Sequence, residues 1–197
     1  MKITSQMVKE LRDKTNAGMM DCKRALGETE GDMEKAVDLL RQKGLAVAQK
    51  RAGRSTSEGV VQTYIHAGGK LGVMVEVNCE TDFVAKTDDF NNFAREIAMH
   101  VAAMNPIAVR REDIPEDQVA REAEIYKNQA IDSGKPENIA EKMVAGKLDK
   151  FFAEVSLLEQ KFVKNPDLSV QDMLNELIAK MGENITIKKF ARFQVGA

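Results

Sequence analysis

The sequence predicts an α+β protein, with an N-terminal three-helix module followed by a core in which a small antiparallel three-stranded sheet is packed with helices. Three observations carry this. Apolar residues recur at helical spacing as far as Gly44, alternate with a period of two between Val60 and Cys79, and return to helical spacing from Thr87. The charge changes across the same boundary: residues 1–54 hold 12 Lys/Arg and 8 Asp/Glu, a net of +4, whereas the remainder nets −6. The closing stretch Ile185–Val195 alternates enough to be a third strand, which the hairpin needs, since two strands alone are marginal in water.

The elements follow in order. Thr4 or Ser5 can cap a first helix whose apolar positions are Met7, Val8 and Leu11. Asn16-Ala17-Gly18 interrupts it, and a second short helix carries Met19, Met20, Cys22, Ala25 and Leu26. Thr29-Glu30-Gly31-Asp32 is a turn with a cap, leading to Met33, Ala36, Val37 and Leu40 and a stop at Gly44. Val8, Leu11, Val37 and Leu40 are assigned to the small core of this module. Neighbours on a helix diverge by about 100°, so Met19 and Met20 cannot both face it. The stretch QKRAGRSTSEG, Gln49–Gly59, reads as a linker. Its basic run lacks interleaved aromatics, so it reads as a solvated helix end rather than a nucleic-acid contact. The domains are therefore 1–54, the three-helix module and linker, and 55–197, the α+β core.

In that core, Val60–His66 and Leu71–Cys79 form a hairpin across Ala67-Gly68-Gly69-Lys70, with Leu71, Val73, Val75 and Val77 on one face. Thr87 caps a helix with Asp88 and Asp89 at its positive end and the stripe Phe90, Phe93, Ile97, Val101, Met104. Asn105-Pro106 ends it. Pro115 opens a helix to about Ser133, bearing Val119, Ala123, Tyr126 and Ala130. Pro136 starts a longer one to about Val163, which Asn165-Pro166 terminates. Ser169 caps the last helix, with Met173, Leu174, Leu177, Ile178 and Met181, and Gly182 stops it. On the terminal strand Ile187, Ala191, Phe193 and Val195 share part of one face.

Composition narrows the function. With 43% apolar and 30% charged residues and a net charge of −2, a long polyanion is not held by the whole surface. Apolar runs are far shorter than the roughly 20 residues a membrane helix needs. Met1-Lys2 opens on polar sequence without a signal segment, so a cytoplasmic protein is expected. Cys22 and Cys79, with only two His, offer no zinc spacing and read as small buried or half-buried thiols. No phosphate loop and no nucleophile elbow is present. His100, at the edge of the Phe90–Met104 stripe, reads as a half-buried structural imidazole. The expectation is a protein that is not an enzyme, with no metal and no cofactor.

The segment Asn78-Cys79-Glu80-Thr81-Asp82-Phe83-Val84-Ala85-Lys86 follows a strand and precedes a helix cap. Taken alone, it reads as a hydrophobic staple, with Phe83 or Val84 packing on the next helix while Asp82 makes a local turn bond.

Four stretches carry a resemblance: VKELRDKTNAGMMDCKRAL (Val8–Leu26), EVNCETDFVAKTDDF (Glu76–Phe90), IAEKMVAGKLDKFFAEVSLLEQKFV (Ile139–Val163) and KMGENITIKKFARFQVG (Lys180–Gly196). In this order and over essentially the whole chain, the sequence resembles the translation elongation factor Ts family, in its short form with a single-copy core. The resemblance implies a guanine nucleotide exchange factor for the GTPase elongation factor Tu, with an N-terminal module similar to a ubiquitin-associated domain. It implies that Thr81, Asp82, Phe83 and Val84 intrude beside the magnesium site of the GTPase, and that Arg12, Met19 and Met20 touch its nucleotide-binding domain. It also implies a homodimer, and neither nucleic acid nor a membrane as a direct partner. Asn16 stands where many relatives have glycine, a mild change because Asn tolerates a left-handed turn. The competing reading is an adaptor whose three-helix module binds a peptide.

Overall fold

The computed structural model describes residues 3–15, 17–132, 134 and 136–196. The turn assigned to Asn16 and the helix end at Ser133 lie outside them. By its internal contacts the chain forms two compact units, one of Met1–Gln62, Glu76–Arg95 and Asp172–Lys188, the other of Thr63–Val75, Glu96–Gln171 and Lys189–Ala197.

Three helices open the chain: α1 (Ser5–Thr15), α2 (Met19–Glu28) and α3 (Met33–Arg51). The Met7 N–H donates to the Thr4 hydroxyl, and the Lys35 N–H to the Asp32 carboxylate, so both turns are capped as the residue types require. Val8, Leu11, Cys22, Ala25, Leu26 and Ala36 close a small core, with Val37 and Leu40 packed half-buried against it. α3 does not stop at Gly44 but runs on to Arg51, shortening the expected linker. Gly44 is buried, and a Cβ placed there would lie 3.7 Å from the Ala179 Cβ. This glycine lies inside a helix, facing Ala179 at ordinary contact distance, rather than ending one.

Strands β1 (Glu58–Ile65) and β2 (Leu71–Cys79) form the hairpin, closed by His66 N–H donating to the Leu71 carbonyl. The closing strand, β5 (Ile185–Gln194), pairs with β2, giving the order β1-β2-β5. Asn184 meets Glu80 at one end and Val195 meets Lys70 at the other, so β5 runs antiparallel to β2. Val73, Val75, Val77 and Cys79 are buried on one face, as their alternation demands. On β5 only Ile185 and Ile187 are buried; Phe193, and Val195 just past its end, expected to share part of a face with Ile187, are exposed.

A single turn, α4 (Asp82–Ala85), leads to α5 (Asp88–Met104), whose stripe is buried at Phe90, Phe93, Ile97 and Val101 while Met104 at its end is exposed. α6 (Glu116–Asp132) packs against α7 (Glu137–Val155). α7 ends eight residues short of the expected Val163. Leu157 and Leu158 continue the helical apolar pattern, but their N–H groups donate to the Ala108 and Val109 carbonyls instead. The chain then makes an unforeseen ribbon of β3 (Lys161–Phe162) and β4 (Asn165–Ser169) before α8 (Val170–Met181). His100 is fully buried rather than half-buried. Its Nδ1 accepts the Val163 N–H, so its Nε2–H donates to Gln160, whose amide reaches the Glu154 carbonyl. Burial holds this ring below its ordinary pKa.

Glu176 sits half-buried on α8, where burial pushes its carboxyl up to about 7 against the opposing pull of Arg41. A carboxyl raised in the folded state favours folding below its ordinary pKa, and that contribution is lost as pH rises through about 7. Glu176→Gln is expected to match the parent's melting temperature near about pH 4 and to exceed it near about pH 8. Thermal melts across that range check this.

Candidate functional site

The segment after β2 is built from its backbone outward. Thr81 is the N-cap of α4: its hydroxyl accepts the Val84 N–H at a long 3.5 Å, and its carbonyl accepts the Ala85 N–H. Thr87 closes the turn by donating to the Val84 carbonyl and accepting the Phe90 N–H. The Asn91 amide donates to the Ala85 and Thr87 carbonyls. Val84 and Ala85 are buried beneath.

Phe83, one position before Val84, is 79% exposed. Of the two staple candidates, Val84 is the one turned inward and Phe83 is not. Asp82 is half-exposed and pairs with Lys86 at 2.6 Å; hydrogen bonding from Lys86 holds its carboxyl below the usual range, so it is ionised at neutral pH.

Glu80 and Glu183 were not singled out from the sequence, yet they anchor this turn. Glu183 accepts from both the Thr81 N–H, at 3.0 Å, and the Thr81 hydroxyl, at 2.7 Å. Glu80 accepts the Asn184 N–H at 2.6 Å and pairs with Arg54 at 3.4 Å; the Asn184 bond foremost holds its carboxyl below the usual range. Carboxylates at two adjacent chain reversals thus exchange bonds across more than a hundred residues. The sequence signal for them is that Glu80 and Glu183 each fall within one of the four resembling stretches.

In the three-helix module, Met19 and Met20 are 59% and 67% exposed, and Arg12 is exposed without an ion pair among the described residues. Cys22, on the same helix as the two methionines, fills the core instead, a free thiol whose pKa burial raises. Cys79, likewise free and buried, is pushed up to about 11 and donates to the Thr81 carbonyl. Among the described residues no group of three His, Cys, Asp or Glu is placed to hold a metal ion, and no helix is long and apolar enough to cross a membrane.

An aromatic side chain held outward by buried neighbours, and a pair of exposed methionines in a module that also exposes the Arg12 guanidinium, have the make-up of protein-docking surfaces. Comparison with known proteins gives the family. A family model described as Elongation factor TS matches residues 2–197. The elongation factor Ts of Desulfotalea psychrophila is 74% identical over 197 residues, covering the whole of both chains. That of Carboxydothermus hydrogenoformans is 64% identical over 98% of this chain and 89% of its own, and that of Desulfosudis oleivorans 61% identical over 98% of each. The chain belongs to the elongation factor Ts family.

Proposed function

We propose that this chain is a guanine nucleotide exchange factor that promotes GDP release from elongation factor Tu in the cytoplasm, by intruding near the magnesium site of the GTPase. The observation that carries the reading is Phe83, exposed on a turn that is hydrogen-bonded at every corner. Such a side chain reaches a partner pocket without first leaving its own core. Asp82, brought close, competes for the ion's ligands, and magnesium tolerates little departure from octahedral geometry. The chain needs no cofactor or reacting group of its own for this.

Linkage constrains the energetics: GDP and the factor weaken each other's binding to the GTPase by the same ratio. A coupling of about 10⁴-fold takes about 5.5 kcal/mol. Burying one phenylalanine supplies about 1.5–3 kcal/mol, so residues 1–54 and the core must contribute the rest. Fluorescent GDP release from purified elongation factor Tu tests the reading. An unchanged release rate would sink it and leave the adaptor that binds a peptide.

Within the N-terminal module, Arg12, Met19 and Met20 are assigned to the GTPase. Arg12→Ala and Met20→Ala are each expected to weaken binding about tenfold, in line with truncated interface contacts, while the melting temperature stays near the parent's. Titration calorimetry beside a thermal melt separates the two effects.

The chain is also assigned to a homodimer. In support, Ile65, Met74, Phe193 and Val195 line an open apolar groove of about 470 Å³ at the end of the sheet. Neither cysteine lies in β5, so the pair is non-covalent. Sedimentation at micromolar concentration should show twice the 21.9 kDa of one chain; a single-chain species alone would count against it.

A further inference from the structure

We infer that Glu183 is the positioning residue of the exchange loop: by holding Thr81 with both carboxylate oxygens, it sets the direction in which α4 presents Asp82 and Phe83. The inference rests on the proposed exchange activity for its consequence, but not for its geometry.

α4 has four residues, far below the length at which a helix is stable in water, so nothing intrinsic keeps it formed. Its far end is held by Thr87, by Asn91 and by the burial of Val84 and Ala85; its start is held by its cap, and the cap is itself held. Glu183 Oε1 takes the hydroxyl proton of Thr81, which turns the oxygen's lone pairs toward the Val84 N–H; Oε2 takes the Thr81 N–H. Both contacts are charge-assisted, the stronger class of hydrogen bond. The side chain and the backbone of one residue are thereby fixed together, leaving Thr81 no freedom to rotate. Glu80 returns the arrangement by binding the Asn184 N–H, and the Asn184 amide donates to the Arg54 carbonyl. Glu183 cannot shift without breaking bonds on both sides of it.

The consequence is one of pre-organisation. A wedge presented in its working direction loses little freedom on insertion, whereas a wedge on a loose turn is ordered at the expense of the opening it is meant to drive. The loss falls on the maximal rate of GDP release rather than on the concentration of factor that half-saturates it, since binding is shared with the N-terminal module.

Because the chain contains no tryptophan, Phe83→Trp places a unique fluorophore on the turn. Time-resolved anisotropy of that variant, with and without Glu183→Ala, should show local depolarisation growing severalfold once the carboxylate is gone. Unchanged local motion would overturn the inference, and this arm stands whether or not the chain accelerates GDP release. In the exchange assay Glu183→Ala should lower the maximal stimulated rate about tenfold and Glu183→Gln, which keeps one acceptor oxygen and carries the test if the alanine variant fails to fold, about threefold. Both should leave half-saturation within about twofold. In a Phe83→Ala background, removing Glu183 should cost less than about twofold, because the two act on one event. An equally large loss in that background would make Glu183 a general structural contact and refute its positioning role.

Discussion

Phe83→Ala is expected to slow factor-stimulated GDP release about 30-fold, the effect of losing an aromatic anchor worth about 2 kcal/mol. The same substitution should leave the melting temperature nearly where it was. At 79% exposure the ring has little buried surface to lose. Had Phe83 been the staple, truncation would have cost roughly 3–5 kcal/mol, and at about 2–4 °C per kcal/mol for a chain of this size the melt would drop by about 6–20 °C. The two accounts are therefore separated by one thermal melt and one release assay on the same variant. Asp82→Ala should act in the same direction. It breaks the Lys86 pair as well, but an exposed pair four residues apart on a helix contributes only about 0.3–0.5 kcal/mol. The double variant should fall short of the sum if both residues drive one opening event, and full activity in it would remove this loop from the mechanism.

Gly59→Ala should be the most damaging single-methyl change for the fold. Gly59 sits in β1 at φ +148°, a region L side chains rarely adopt, and a Cβ there would stand 2.1 Å from the Val77 carbonyl oxygen and 2.7 Å from the Asn78 Cα. Backbone atoms of the neighbouring strand cannot rotate aside as a side chain would. Relief requires β1 to separate locally from β2, and a loss of about 3 kcal/mol or more is expected. Gly53→Ala is the control. Its φ is +87° but nothing lies within 4 Å of the added carbon, so it should lose only about 1 kcal/mol from backbone strain. Urea unfolding of the two variants side by side measures the difference.

Much of this architecture was legible because local rules carried it. The alternation from Leu71 to Val77 forms β2, and the Thr4, Asp32 and Thr87 caps stand where hydroxyl or carboxylate oxygens precede apolar stripes. The misreadings share one cause. Gly44 reads as a helix stop but lies buried inside α3, facing Ala179, and the pattern of α7 reads past Val155 because Leu157 and Leu158 preserve it. In each case the deciding partner lies outside the local stretch. The β3–β4 ribbon escapes the sequence for the same reason, since Lys161–Phe162 read as a helix end, Asn165-Pro166 as its stop and Ser169 as the cap of the next helix. His100 is buried against a part of the chain some sixty positions on, which a helical stripe does not reveal.

The loop that carries the proposed function divides along the same line. The residues Thr81-Asp82-Phe83-Val84 by themselves offer a local turn and two adjacent apolar side chains, of which Phe83 or Val84 packs inward. Which of the two faces inward is not a local property. The tertiary structure buries Val84 and leaves Phe83 outside, and it supplies the Glu183 carboxylate from 102 residues away to hold the cap in that orientation. A short helix has too few bonds of its own to choose a direction. It takes the one that distant hydrogen bonds and a buried neighbour impose.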